Sequence, residues 1–137
     1  MTKQEIKNLL HSLGFETDML KSVYSKIYPN CKKTLSVDVD NEKINYDKIG
    51  IELGDSTTSN FSQDENFVVL ECVNRLIEKG YEPEHLTLER RWQVGHGASG
   101  GKADINVFNR DGKTLFIIEC KCWGKDYEKY KQKMLIV

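Results

Sequence analysis

Residues 102–121 read K-A-D-I-N-V-F-N-R-D-G-K-T-L-F-I-I-E-C-K. Two apolar segments, 103–108 and 114–120, lie on either side of a polar stretch that contains Asp111 and Gly112. An Asp-Gly pair between alternating apolar residues is a strong signal for a hairpin with a two-residue turn. We therefore predict a β-hairpin here.

The register that this turn sets places two acidic side chains opposite each other. With Asp111 and Gly112 as the loop, Ile105 faces Ile118 and Phe108 faces Leu115. The same register puts Asp104 directly across from Glu119, and like charges at such positions destabilise a sheet. Because side chains alternate along a strand, Lys121 falls on the same face as Glu119.

Two explanations of this acidic pair stay open on the residues alone. Mg²⁺ takes oxygen ligands and is commonly held by one or two carboxylates with waters, so a divalent cation would neutralise Asp104 and Glu119. It would also activate a water and polarise a phosphate. Alternatively, the pair lies on a solvated sheet face, where Lys102 and Lys121 balance the two acids.

The order of these residues resembles the PD-(D/E)xK nuclease superfamily. Asp104 matches the motif aspartate, and Glu119-Cys120-Lys121 matches E-x-K. The upstream order looks like the N-terminal nuclease domain of type I restriction enzyme R subunits: D-E-N-F-V-V-L-E-C-V at 64–73, then Gly80-Tyr81, Leu88-Glu89 and a glycine-rich turn before 103–105. Restriction enzymes fused to N6-adenine DNA methylases carry a similar domain. The resemblance is good from about residue 60 onward and loose before it.

The resemblance implies a fold and an activity. It implies an α/β, restriction-endonuclease-like core of a helix, a three-stranded antiparallel sheet and a second helix. It implies a DNA endonuclease that uses Mg²⁺ or Mn²⁺, held by Asp104, Glu119 and the backbone carbonyl of Cys120. Lys121 would orient or activate the attacking water. Glu65 would add a carboxylate from the helix, although it equally completes a capping box with Ser62.

Partners and chain organisation follow from the same resemblance. Double-stranded DNA is the expected substrate, and methylase, specificity and translocase subunits or domains are the expected partners. We expect a division into an accessory region, 1–60, and a nuclease core, 61–137. The apolar residues 135–137 suggest a piece of a longer enzyme, and the Q-x-x-x-Y motif that often follows E-x-K is missing.

The composition restricts the class of protein. A net charge of -1, with 39% hydrophobic and 30% charged residues, is ordinary for a globular domain and shows no overall basic character. The four cysteines fit no disulfide framework, and Cys120-Lys121-Cys122 lacks zinc-ligand spacing, so we expect small core residues. No signal segment or membrane-spanning run is evident, which predicts a cytoplasmic protein without a membrane partner.

Periodicity predicts the remaining elements. We expect amphipathic helices over 2–13 and 18–28, which together with a hairpin over 33–51 would form the accessory region. A polar loop over 54–63 precedes a helix over 62–79, a strand over 86–94 and, after the 102–121 hairpin, a helix over 125–134. Residues 95–100 spell G-x-G-x-x-G, but a strand rather than a helix follows them, which excludes a dinucleotide-binding turn.

Two further functions remain open. One is a non-catalytic domain whose N-terminal helices dock other subunits of a modification complex. A scaffold, however, has no need to oppose two acids across a hairpin. The other keeps the nuclease chemistry but acts on RNA, and the sequence has no row of stacking aromatic residues that would favour it.

Overall fold

The computed structural model describes residues 1–94 and 98–121. The predicted helix over 125–134 and the glycines at positions 95 and 97 lie outside this part of the chain. Within it, two α-helices and two four-stranded sheets form a mixed α/β fold. The α/β class is therefore confirmed.

The first helix, α1 at Lys3–Ser12, begins and ends where the sequence predicts. The hydroxyl of Thr2 accepts the backbone N–H of Glu5, and the Glu5 carboxylate accepts the backbone N–H of Thr2. These reciprocal bonds satisfy two N–H groups that the first turn cannot pair internally. Gly14, at φ 92°, follows the helix in the left-handed region that glycine adopts without strain.

The predicted second helix over 18–28 is wrong. This segment forms part of an antiparallel sheet in the order β1-β2-β3-β4, with β1 at Glu16–Thr17, β2 at Val23–Tyr28, β3 at Lys33–Asp38 and β4 at Lys43–Ile44. All six residues of β2 pair with β3, from Val23 opposite Asp38 to Tyr28 opposite Lys33. The β-branched and aromatic side chains of β2 suit a half-buried sheet, and this pairing overrides the helical spacing.

The N-terminal region thus contains one α-helix and a four-stranded sheet, instead of two helices and a hairpin. The hairpin predicted over 33–51 is present as β3 and β4, followed by a short 3-10 helix at Tyr46–Ile49. The polar stretch that follows has the predicted loop character between β5, at Glu52–Leu53, and the next helix.

The second sheet contains the predicted hairpin and has the order β5-β6-β7-β8. β6 at Leu86–Val94, β7 at Ala98–Phe108 and β8 at Thr114–Ile118 pair antiparallel, as expected. β5 pairs parallel with β6 and makes the sheet four-stranded and mixed rather than three-stranded. The two residues of β5 are too few to show a periodicity in the sequence.

The hairpin keeps the predicted register but not the predicted turn. Ile105 pairs with Ile118, whereas Phe108 pairs with Thr114 instead of Leu115. The backbone N–H of Asn109 donates to the Lys113 carbonyl at 2.8 Å, so the loop is one residue longer than two. The resulting irregularity in β8 absorbs the extra residue and restores the register beyond it.

The second helix, α2 at Glu65–Glu78, joins the two sheets. Buried residues of the N-terminal sheet, of α2 and of β6 and β7 belong to one apolar cluster. The buried hydroxyl of Tyr28 donates to the side-chain oxygen of Asn74 at 2.8 Å, which ties β2 to α2. A division of the chain after residue 60 stays a prediction. Neither described helix has the length and apolar character needed to cross a bilayer.

Candidate functional site

A polar pocket of about 390 Å³ lies where α2 begins, beside the loop that precedes it and the strands β6 and β7. Its lining includes four carboxylates and two ammonium groups, from Glu65, Glu89, Asp104, Glu119, Lys102 and Lys121. The four side chains that the sequence analysis singled out, Glu65, Asp104, Glu119 and Lys121, therefore line one pocket.

The predicted opposition of Asp104 and Glu119 follows from the hairpin register. Ile105 pairs with Ile118, and one residue farther along lie Asp104 and Glu119, just beyond the end of β8. The backbone N–H of Cys120 donates to Oδ2 of Asp104 at 2.7 Å. This bond holds the Asp104 carboxyl group against the segment that follows β8.

The electrostatics of this pair are unfavourable without a counter-ion. Burial raises the pKa of Asp104, and the charge of Glu89 adds to the effect, while the Cys120 N–H and Lys121 oppose it. Burial also raises the pKa of Glu119, and the negative charge of Asp104 raises it further. Both carboxyl groups thus lie in surroundings that disfavour their ionised forms.

The charge count of the pocket matches one divalent cation. With all six groups ionised, four carboxylates against two lysines leave two negative charges. The donors are oxygens, which is the ligand type of Mg²⁺ and Mn²⁺. In residues 1–94 and 98–121, no group of three or more His, Cys, Asp or Glu side chains is arranged to hold a metal ion. Mg²⁺ commonly takes only one or two protein carboxylates and fills its remaining positions with water, so this donor set fits it.

Glu65 lies at the first position of α2, half-buried and facing the pocket. The capping box that the sequence offered as its alternative role does not form. The residue before the helix, Asp64, makes no side-chain cap, and the hydroxyl of Ser62 donates to the Asn60 side chain instead. A carboxylate in the first turn also interacts favourably with the positive end of the helix.

Two further charged residues line the pocket: Glu89, to which the sequence analysis assigned no role, and Lys102, which was expected only to balance the acids on a solvated face. Glu89 is only 3% exposed. Its φ of 55° is left-handed, a conformation that costs a residue with a side chain about 1 kcal/mol or more. Thr87, two positions earlier on β6, is also only 3% exposed, so both faces of the strand are covered here.

The prediction of core cysteines is confirmed for Cys120. It is buried in the apolar cluster, and its Sγ lies 3.9 Å from the Sγ of Cys72 on α2. The side chain of Cys120 thus anchors the end of β8 against the helix, while its backbone N–H holds Asp104.

Comparisons with protein-family models, with curated proteins and with solved structures find no match for this chain.

Proposed function

We propose that the chain is a metal-dependent DNA endonuclease domain of a restriction-modification enzyme, hydrolysing phosphodiester bonds with Mg²⁺ or Mn²⁺. The observation that supports it most is that Glu65, Asp104, Glu119 and Lys121 line one pocket. Two of these groups, the carboxyls of Asp104 and Glu119, have raised pKa values. Such a pair of perturbed acids in a cleft is typical of functional sites.

Each residue of the pocket has a role in this proposal that follows from its chemistry. Asp104, Glu119 and the backbone carbonyl of Cys120 would hold the cation. When bound, the ion polarises a phosphate oxygen and lowers the pKa of a water. The Lys121 ammonium orients that water and offsets the negative charge that develops on the phosphate. The Cys120 N–H fixes the orientation of the Asp104 carboxylate. Metal ligands are commonly oriented by such hydrogen bonds from neighbouring groups.

A docking domain explains the pocket less well. A surface that only binds another subunit has no use for carboxyl groups whose charged forms are disfavoured, because neutral side chains there would make the fold more stable. Restriction partners, including methylase, specificity and translocase components, remain part of the proposal and are not needed for its first test.

Metal binding is the first test. Mn²⁺ and Mg²⁺ are titrated calorimetrically into the wild type, Asp104→Asn and Glu119→Gln. Asp111→Asn is the matched control, since it makes the same change at an exposed carboxylate of the same hairpin. We expect binding in the wild type and the control and its loss in both site variants. A folded wild-type chain that binds neither ion would favour the docking domain.

Cleavage is the second test and separates DNA from RNA. A supercoiled plasmid and a double-stranded RNA are incubated with protein and Mg²⁺ or Mn²⁺, with and without a chelator. We expect nicking of the plasmid and a loss of about 100-fold or more in Asp104→Ala, Glu119→Ala and Lys121→Ala. Lys113→Ala, at an exposed lysine beside the turn, should retain full activity. Full activity in any of the three site variants overturns the assignment, and cleavage of RNA alone overturns the substrate.

A further inference from the structure

Glu89 interrupts the pairing of β6 with β7 at the position opposite Asp104. Leu88 pairs with Ile105 and Arg90 with Ala103, so the register leaves Glu89 facing Asp104 across the two strands. The left-handed backbone of Glu89 lies at this break in the ladder, and a second irregularity lies between Arg91 and Gln93. A strained conformation persists only where surrounding contacts determine it, and such residues cluster at functional sites.

Four donors satisfy the buried Glu89 carboxylate. The Thr57 hydroxyl and the Lys102 ammonium donate to Oε1, the latter at 3.1 Å. The backbone N–H and the hydroxyl of Thr58 both donate to Oε2 at 3.2 Å. Burial acts to raise the pKa of Glu89, but the bonds from Thr57, Lys102 and Thr58 outweigh it and lower the pKa. We call Glu89, Thr57, Thr58 and Lys102 the Glu89 network.

The network joins four of the segments that line the pocket. Lys102 precedes Asp104 on β7, and its ammonium also lies 3.6 Å from an Asp55 carboxylate oxygen. The loop that carries Thr57 is tied to α2, because the Asn66 side chain donates to the carbonyls of Thr57 and Asn60 at 2.8 and 2.9 Å. Asn66 directly follows Glu65. The Glu89 carboxylate therefore connects β6, β7, the loop and the first turn of α2.

We propose that Glu89 is a positioning residue that holds Lys102 and the Thr57-Thr58 wall in place around the carboxylate pair. This inference rests on the proposed function. Glu89 itself does not touch the reacting atoms. Its charge fixes the ammonium of Lys102 inside the pocket, beside the Asp104 carboxylate. Pre-organising charges in this way lowers the barrier to the reaction without strengthening DNA binding.

The principal variant is Glu89→Gln, which keeps the shape and removes the charge. An amide has one acceptor oxygen and cannot receive all four donors. We expect kcat for plasmid nicking to fall about 30-fold, which is typical when a group that hydrogen-bonds to metal-site residues is removed. The KM for DNA should stay within about twofold of the wild-type value. Glu52→Gln, at an exposed glutamate of β5 in the same sheet, is the matched control and should match the wild type.

A double-mutant cycle separates positioning from a general loss of stability. If Glu89 acts through Lys102, then Glu89→Gln combined with Lys102→Met should be no slower than the slower single variant. Additive losses overturn the proposal. Thr57→Val removes the hydroxyl at similar size and should lower kcat about fivefold, as expected for one hydrogen bond. Thr34→Val, at an exposed threonine of β3, controls for that change.

Hydrogen exchange gives a readout that does not need cleavage. The Thr58 amide donates to Glu89 and should exchange slowly in the wild type and much faster in Glu89→Gln, with α1 unchanged. If Glu89→Gln does not fold, Lys102→Met and Thr57→Val, at partly exposed side chains, carry the test of kcat. An active wild type with unchanged kcat in the folded network variants overturns this inference alone. A wild type that neither binds metal nor cleaves overturns the proposed function and this inference with it.

Discussion

Replacing Gly54 with alanine should destabilise the fold through one steric contact. Gly54 follows β5 and packs against the strained backbone of Glu89. A Cβ at Gly54 would lie 2.8 Å from the Glu89 carbonyl carbon, closer still to its oxygen, and 3.2 Å from the Cα of Arg90. Nonbonded carbon atoms prefer separations of about 3.5–4.0 Å, so the two backbones must move apart by roughly 1 Å.

The size of the effect follows from what that movement breaks. Forcing an extra carbon into a packed site costs about 1–3 kcal/mol. The 2.7 Å hydrogen bond from the Gly54 N–H to the Leu88 carbonyl lies beside the clash, and its loss adds about 1 kcal/mol. The expected decrease in the free energy of unfolding is therefore about 2–4 kcal/mol. For a chain of this length it lowers the melting temperature by roughly 10 °C.

The assay is urea unfolding followed by circular dichroism, with Mn²⁺ titration of the folded variant. The shift of Glu89 should also weaken metal binding in Gly54→Ala. Gly80→Ala is the control, because Gly80 has φ 107° but open space around a Cβ. It should cost about 1–2 kcal/mol from backbone strain and leave metal binding unchanged. A Gly54→Ala protein within about 0.5 kcal/mol of the wild type would refute this reasoning.

Three further predictions concern charge, metal and packing. Asp104→Asn should make the metal-free protein more stable than the wild type at pH 7, because burial raises the Asp104 pKa. Thermal melts across pH should show this difference disappearing below about pH 4, where the carboxyl group is protonated in both folded and unfolded states. Mg²⁺ at about 100 times its Kd should raise the free energy of unfolding of the wild type by about 2.7 kcal/mol. The same melts should show no increase for Asp104→Asn. Tyr28→Phe removes the buried bond to Asn74 and should cost about 1–2 kcal/mol in urea unfolding.

The central hairpin was predictable because its signals are local. Alternating apolar residues set which side chains face the core, and the position of the turn between them sets the pairing of Ile105 with Ile118, which the irregularity in β8 preserves. The turn itself was not predictable in detail. The Asn109 side chain accepts the backbone N–H groups of Asp111 and Lys113 at 2.9 and 3.0 Å, which stabilises the longer loop.

Elements that depend on distant partners were missed. β2 has the spacing of an amphipathic helix, and only its pairing with β3 decides otherwise. The left-handed conformation of Glu89 requires the close approach of Gly54 and the hydroxyls of Thr57 and Thr58. Nothing in the sequence around residue 89 signals contacts with residues more than 30 positions earlier. The candidate ligands were predictable from the hairpin, whereas the network that holds them was not.

The two kinds of carboxylate in the pocket contribute to stability with opposite signs. The pKa of Glu89 is lowered in the fold, so its contribution is present above the unfolded value of about 4.3 and is lost as the pH falls through the folded pKa. The pKa values of Asp104 and Glu119 are raised, so their ionisation destabilises the metal-free fold as the pH rises through their folded values. At neutral pH, Glu89→Gln should therefore destabilise the protein and Asp104→Asn should stabilise it. A pocket built only for stability would contain the first kind of carboxylate alone. The second kind needs positive charge beyond that of Lys121, and a divalent cation is the counter-ion that we propose.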